Sequence, residues 1–374
     1  MDNLTHTLFA VTLARTPIGR AGRGTTAALV VASNAPDIDI VSAARGGAAS
    51  YMQWHRGPTH GLFGVIGLGL VVALGVWVFT RLRHDDGVSR PRAPLLTLSA
   101  ISVLGVLLHI LMDLPTSYGT RLLSPFDWRW YAFDWLPIVD IYLLIALVTA
   151  LAFGRLSPEA RRRNAAIALG LMALNYGVRA TSHHRALAIA PRLFGPTLPQ
   201  PCDPKGPPAS VVEIWPRATS YSSTGAPSRV GSASRCLVEM AAMPTFFSPF
   251  RWRVIARVSN AYELQEVDVL DARFRTRPPA AEALWRRSLR FPNVWTYAVD
   301  MAARKRTAQI FLGFARFPAA LAFLEAGSVA TVRFTDMRFA GGIVSLNQPS
   351  GRASPFTLTI RIGAEDEIQE ELAR

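Results

Sequence analysis

GLFGVIGLGLVVALGVWVF, Gly61–Phe79, runs for nineteen positions without one charged side chain. A bilayer's hydrocarbon core is about 30 Å thick, and a helix rising about 1.5 Å per residue crosses it in roughly 20 residues. The stretch is therefore expected to be a membrane span, and that reading decides the fold class. Leu95–Met112 (LLTLSAISVLGVLLHILM) is a second expected span, Ile138–Phe153 (IVDIYLLIALVTALAF) a third and Ala165–Val178 (AAIALGLMALNYGV) a shorter fourth. Leu8–Leu13 and Thr25–Ala35 are weaker apolar pieces, read as short N-terminal helices.

The expected fold is mainly α: a polytopic transmembrane bundle of about four spans plus short N-terminal helices, followed by a small soluble α+β domain. The boundaries are residues 1–185 for the bundle, a Pro-rich linker over 186–210, and the soluble domain over 211–374. Within that domain Trp252–Leu270 reads as two strands joined at Ser259-Asn260, and Ala330–Ala340 and Phe356–Ile362 alternate like strands. Ala280–Leu289 and Val299–Phe314 read as helices.

Composition agrees with a membrane protein. Half of the 374 residues are hydrophobic, and 40 Lys+Arg against 26 Asp+Glu give a formal charge of +14. In so apolar a chain the basic excess belongs to loops held at an anionic membrane face. No helix-turn-helix, zinc finger or aromatic-basic platform is legible, so no nucleic-acid partner is expected. MDNLTH lacks a basic n-region, and a cleaved signal peptide is not expected. Cys202 and Cys236, the two cysteines, form one bridge if their half of the chain lies in an oxidising compartment.

Arginine-rich short loops stay cytoplasmic. Arg15, Arg20 and Arg23, then Arg81, Arg83, Arg90 and Arg92, then Arg155 and Arg161–Arg163 mark three such loops. With those inside, His6, Asp37, Asp39, His55, His60, His109, Asp113 and Asp140 all fall at the outer end of the bundle, and the domain after it lies outside.

Three motifs at that end could carry chemistry. HILMD puts His109 and Asp113 at i and i+4, one above the other on a helix face. APDIDI, if extended at DID, points Asp37 and Asp39 to one side. In WHRGPTHG, Gly57 and Pro58 bend the chain between His55 and His60, so both rings reach the same mouth. Each motif alone is more often a cap, a solvated turn or an incidental histidine; together they mix imidazole with carboxylate, a donor set for Zn²⁺, Mn²⁺ or Fe²⁺. There are enough donors for one or two ions. A two-metal centre generates a hydroxide nucleophile and clamps a phosphoryl or acyl oxygen. Asp37 or Asp39 is then expected as bridge or base and Arg56 or Arg121 as the group that steadies developing anionic charge, with Thr116 and Tyr118 hydrogen-bonding the substrate. His84 reads as solvated in the inner loop, and His183 and His184 are left outside the site.

LTHTL, APDID, HRGPTHG and HILMDLPTSYGTRLLSPFDWRWYAFDWLPIVD, in this order, resemble the YdjM-type, LexA-regulated membrane-bound metal-dependent hydrolases over about residues 1–180. SPFRWRVI and ATVRFTDMRF also resemble the extracytoplasmic tail of the longer members. The resemblance implies His6, Asp37, Asp39, His55, His60, His109 and Asp113 as metal ligands, with Asp134 and Asp140 bridging or supporting them. More loosely, the His/Asp order is similar to that of zinc-dependent phospholipases C, which turns the expectation toward phosphoester bonds. The expected protein is thus a bacterial inner-membrane, metal-dependent hydrolase whose partners are membrane lipids and a small-molecule or lipid substrate. The alternative is a non-enzymatic metal sensor, transporter or structural partner.

Overall fold

A computed structural model describes residues 1–83, 91–153, 157–193, 202, 211–215, 236–271, 288–325, 329–339, 356–363 and 368–373. The chain divides into two compact units. The first comprises Met1–Val41, Trp54–Thr181 and Pro244–Pro249; the second comprises Ser42–Gln53, Ser182–Met243 and Phe250–Arg374.

In the first unit α1, Asn3–Ala14, starts where Asp2 accepts the Thr5 amide at 2.9 Å, satisfying one orphan donor of the helix end. A short helix, α2, Thr25–Ala32, ends at Ser33, and the chain turns through a 3₁₀ segment, Ala35–Val41. The chain then enters α3, Ser42–Trp54, which apart from Trp54 belongs to the second unit and is kinked at Gly46 and Gly47, where Gly47 holds φ 60°. The charge-free stretch becomes α4, Leu62–Leu82, and its neighbour α5, Leu95–Asp113. They lie close because Gly69 has no side chain: a Cβ there would sit 2.8 Å from the Val103 Cα. Gly105 in the same way admits Ala32 of α2, whose Cβ would be 2.8 Å away. The core between these helices is built from Ala28, Leu29, Ala73, Val76, Leu98 and Ile101, while Val71 and Leu74 of α4 face outward.

A short strand, β1, Trp130–Ala132, lies in the loop that leads to α6, Ile141–Phe153, and α7, Pro158–Ile189, follows. By length and composition α4 and α5 can each cross a bilayer, and the pair Thr25–Ala32 and Ala35–Trp54, bent by 43°, makes a third if counted as one broken span. The other two stretches differ from expectation. Asp140 accepts the Leu143 amide at 3.0 Å and caps α6 there, leaving 13 residues, or about 20 Å. Ala165–Val178 is the middle of a 32-residue helix that begins at Pro158, with Arg161–Arg163 in its early turns. Asp140 also pairs with Arg179 of α7 at 2.6 Å, both side chains fully buried.

The second unit contains a short strand β2, Glu213–Trp215, and two four-stranded sheets. One has the order β3-β4-β5-β6: Leu237–Pro244, Arg251–Val258, Ala261–Asp268 and Leu289–Pro292. The expected hairpin is present, with Val258 opposite Ala261 across Ser259-Asn260. The other sheet is antiparallel, β10-β9-β8-β7, from Pro318–Glu325 (β7), Val329–Asp336 (β8), Thr357–Ile362 (β9) and Ile368–Ala373 (β10). Val299–Phe314, expected as one helix, is two. The first, α8, Tyr297–Ala303, is capped by Thr296; extended backbone at Lys305 then starts α9, Arg306–Phe314. The helix expected over 280–289 lies outside the described residues apart from its end, where Leu289 opens β6. His84 is also outside them.

The end of α7 runs into the region expected to be linker, and Ala186 and Ile189 pack on Trp252, Val254 and Val267. Cys202 and Cys236 are joined by a disulfide.

Candidate metal centre

Four polar side chains from three elements converge in the first unit. The 3₁₀ segment after α2 brings Asp37. A second 3₁₀ turn, Pro58–His60, opened by Pro58 as its first residue, brings His60. The last turn of α5 brings His109 and Asp113, whose i, i+4 spacing leaves Nε2 3.4 Å from Oδ2. One donor atom from each of the four lies within 4.8 Å of every other.

The separations have a specific meaning. His60 Nε2 lies 3.2 Å from His109 Nε2, 3.6 Å from Asp37 Oδ1 and 3.5 Å from Asp113 Oδ2. His109 Nε2 lies 3.6 Å from Asp37 Oδ1. A tetrahedral shell with bonds of about 2.0–2.1 Å has corners about 3.3–3.4 Å apart. Five of the six edges between these donors thus fall at the spacing of one four-coordinate ion. The polar atoms are also short of partners: Asp37 Oδ2, Asp113 Oδ2 and both nitrogens of His6 are buried without a hydrogen bond. Buried carboxylate oxygens left this way are costly unless a cation meets them, so the residues fit a divalent metal. Asp37 is the open edge: its side chain is 15% exposed, against 0% for the other three.

Around the four lies a hydrogen-bonded shell. His109 Nδ1 donates to the Ser33 carbonyl at 2.7 Å, which fixes the ring and leaves Nε2 toward the centre. The Thr59 hydroxyl is 3.0 Å from His60 Nδ1. Asp39 takes the Arg56 amide at 2.7 Å and faces His55 Nδ1 at 3.3 Å and His60 Nδ1 at 3.6 Å. Arg56 holds φ 50°, a left-handed conformation few non-glycine residues adopt outside constrained sites. From there its guanidinium donates to Asp113 at 3.1 Å and to the Gly119 carbonyl at 2.8 Å. His6 stacks on His109 with ring centroids 3.8 Å apart, and its Nε2 is 3.4 Å from Asp113 Oδ1. The Met1 amino group also lies against Asp113. Among these side chains three carboxylates face one guanidinium, leaving two negative charges for one divalent ion to cancel. Burial lowers His60 and pushes His55 down to about 4 despite the upward pull of Asp39, so both rings are neutral and able to ligate at pH 7.

The expected residues fall into two groups. Asp37, His60, His109 and Asp113 form the four-donor cluster, while His6, Asp39, His55 and Arg56 touch or brace its members. The extended backbone expected at DID is instead 3₁₀, because the segment continues the broken helix after Asn34; both carboxylates still approach His60, Asp37 at Nε2 and Asp39 at Nδ1. Tyr118 packs edge-on against His55, and Arg121 lies over Trp128 and Trp130. Burial lowers the Arg121 guanidinium to about 10, which leaves it charged at neutral pH. Asp140 is engaged with Arg179, Asp134 is buried at φ 60°, and His183 packs on Trp252 in the second unit. Sequence reading missed Ser33, Thr59 and Gly119. Two of the three act through backbone carbonyls, which leave no trace in residue type.

Comparison with known proteins decides the family. A family model described as YdjM inner membrane protein matches residues 1–186. These residues belong to the YdjM family. The YdjM match and the two span-length apolar helices place the N-terminal half in a membrane. The chain is also 30% identical over 125 residues to the "Uncharacterized protein YfhP" of Bacillus subtilis (strain 168). That alignment covers 33% of this chain and 35% of the relative, so the similarity spans about a third of each. No solved structure matches.

Proposed function

We propose that Asp37, His60, His109 and Asp113 hold one divalent cation, Zn²⁺ or otherwise Mn²⁺ or Fe²⁺, and that the protein is an integral membrane metal-dependent hydrolase of phosphoester bonds in lipid or envelope substrates. The observation that carries this reading is the near-tetrahedral spacing of four donors, three of them fully buried, with Asp37 Oδ2 and Asp113 Oδ2 left without a hydrogen bond. A bound divalent ion supplies Lewis-acid activation of water and of a substrate oxygen. The chain's own residues do the rest. Asp39 holds His55 at Nδ1 and so orients the ring that takes up and returns a proton. Arg56 fixes the Asp113 carboxylate between itself and the α5 turn. Arg121, charged and low in solvation, favours an anionic substrate. Asp37, at the open edge, is where a substrate oxygen approaches.

The bundle is read as multi-pass in the bacterial inner membrane with the metal centre at its outer end. Basic Arg81 and Arg83 end α4, whereas His60 precedes its start, which supports that orientation. The Cys202–Cys236 disulfide suits a periplasmic or extracellular second unit.

A second reading has its own support: four protein donors fill a tetrahedral zinc shell, as in closed structural sites. The site would then sense or store an ion. Metal analysis of purified wild type, His60→Ala and Asp113→Ala tests the centre, and unchanged content in the variants sinks the assignment. With metal present and lost in the variants, turnover of phosphodiester or phosphomonoester lipids supports the hydrolase, and inactivity across both classes favours the sensor.

A further inference from the structure

The segments that carry the polar centre also bear exposed apolar side chains. In the 3₁₀ segment Asp37 and Asp39 turn inward, while Ile38, Ile40 and Val41 are 58–61% exposed. The turn bearing His55 and His60 and the loop after Thr120 share a second apolar surface: Trp54, Leu62, Phe63, Leu123, Phe126 and Trp128. Phe126 is 83% exposed and Leu62 65%. This surface is one built patch. Trp54 meets Trp128 edge-on at 5.7 Å between centroids, and Phe63 meets Phe126 at 5.5 Å. Trp128 also lies against Gly57, where a Cβ would come within 3.2 Å of its ring.

A water-filled enzyme cleft would not spend large exposed rings on its rim, because contiguous apolar surface of this kind marks an interaction site. What covers the patch follows from its position. Leu62 and Phe63 are the first residues of α4, so the patch is continuous with the outward face of a span. Tryptophan and phenylalanine at the end of a span, beside the Asp127–Arg129 pair and Arg121, have the composition of a membrane–water interface.

We infer that this rim is seated in the lipid interface and that the centre takes its substrate from the bilayer: a phospholipid whose acyl chains stay in the membrane while its phosphoester headgroup reaches the Asp37 edge. The inference rests on the hydrolase reading for its chemistry and on the rim alone for its location.

Two measurements separate these. In proteoliposomes of phosphatidylethanolamine and phosphatidylglycerol, Leu123→Ser/Phe126→Ser is expected to lose about tenfold or more in phospholipid turnover, since interfacial binding scales with buried apolar area. Its metal content and its turnover of soluble bis(p-nitrophenyl) phosphate are expected to match wild type. Equal loss on both substrates, or no loss on either, overturns substrate delivery by the rim. Independently, Phe126→Cys carrying an environment-sensitive fluorophore is expected to be quenched by nitroxide lipids labelled near the headgroup more than by aqueous iodide. Dominant iodide quenching overturns the seating even where hydrolysis is found. A metal-loaded wild type that hydrolyses neither substrate removes the hydrolase reading and the phospholipid claim together, while the quenching result still decides the rim.

Discussion

Asp37→Asn should leave the metal-free protein nearly as stable as wild type while sharply lowering its affinity for metal. Asparagine keeps the shape of the side chain and removes its charge. In the metal-free fold the Asp37 and Asp113 donor oxygens lie within 4.8 Å of each other. Two unit charges at that distance repel by about 3 kcal/mol at an effective dielectric of about 20. The Arg56 guanidinium, 3.1 Å from Asp113, offsets most of this repulsion even with His60 and His55 uncharged. Removing the Asp37 charge should therefore leave the melting temperature of the metal-free protein within a few degrees of wild type, a net change of about 1 kcal/mol or less. The same change takes one donor from the cation. A structural zinc site contributes roughly 10–16 kcal/mol, so one of four donors accounts for about 3 kcal/mol, a loss of roughly a hundredfold or more in affinity. Thermal unfolding of chelator-treated protein in detergent gives the first number, and competition against a chromogenic chelator gives the second. A melting temperature far below wild type for the metal-free variant, together with unchanged affinity, would refute the reasoning, because Asp37 would then be acting as an ordinary structural carboxylate.

Three further outcomes follow from the geometry. His55 stays neutral in the fold down to about pH 4, whereas an unfolded histidine protonates near 6.5, so the unfolded chain binds more protons between those values and stability falls as pH drops through that window. At its lower end the loss is about 3 kcal/mol; in melts across a pH series, His55→Gln should flatten the dependence. Gly69→Ala drives a Cβ into the Val103 backbone and should cost about 1–3 kcal/mol, while Gly67→Ala, with open space around it, should be neutral; denaturation of the two variants makes the comparison. Arg179→Met leaves the buried Asp140 carboxylate unpaired and should cost about 3–5 kcal/mol. Asp140→Asn/Arg179→Met keeps a cap for the Leu143 amide and should recover most of that loss in the same assay.

The parts of this molecule legible in its sequence are those where one local rule dominates. Gly61–Phe79 and Leu95–Met112 became helices α4 and α5 because an uncharged run of that length has no other stable backbone in lipid. HILMD gave its geometry outright, since i, i+4 on a helix is a fixed relation. APDIDI misled because alternation of acid and isoleucine mimics a strand, while the preceding helix break carried the chain into a 3₁₀ turn. The extent of α7 was hidden by its arginines: hydropathy sees only Ala165–Val178, yet the basic residues on either side are helical too. Which of seven candidate ligands form the cluster depended on turns around Ser33, Gly57 and Gly119, whose contributions come from backbone atoms and from conformation.

The facing imidazoles carry one more consequence. A carbonyl only accepts, so His109 must hold its proton on Nδ1 toward Ser33, and its Nε2 presents a lone pair. In the metal-free protein His60 Nε2, 3.2 Å away, then carries the proton that bridges the two rings. That bridge has almost the length of a tetrahedral edge, so a single hydrogen atom acts as a placeholder, holding the rings at the separation the ion requires. The other tautomer of His60, with its proton on Nδ1 beside the Thr59 hydroxyl and Asp39, would present both Nε2 lone pairs to a divalent cation within the same fixed frame.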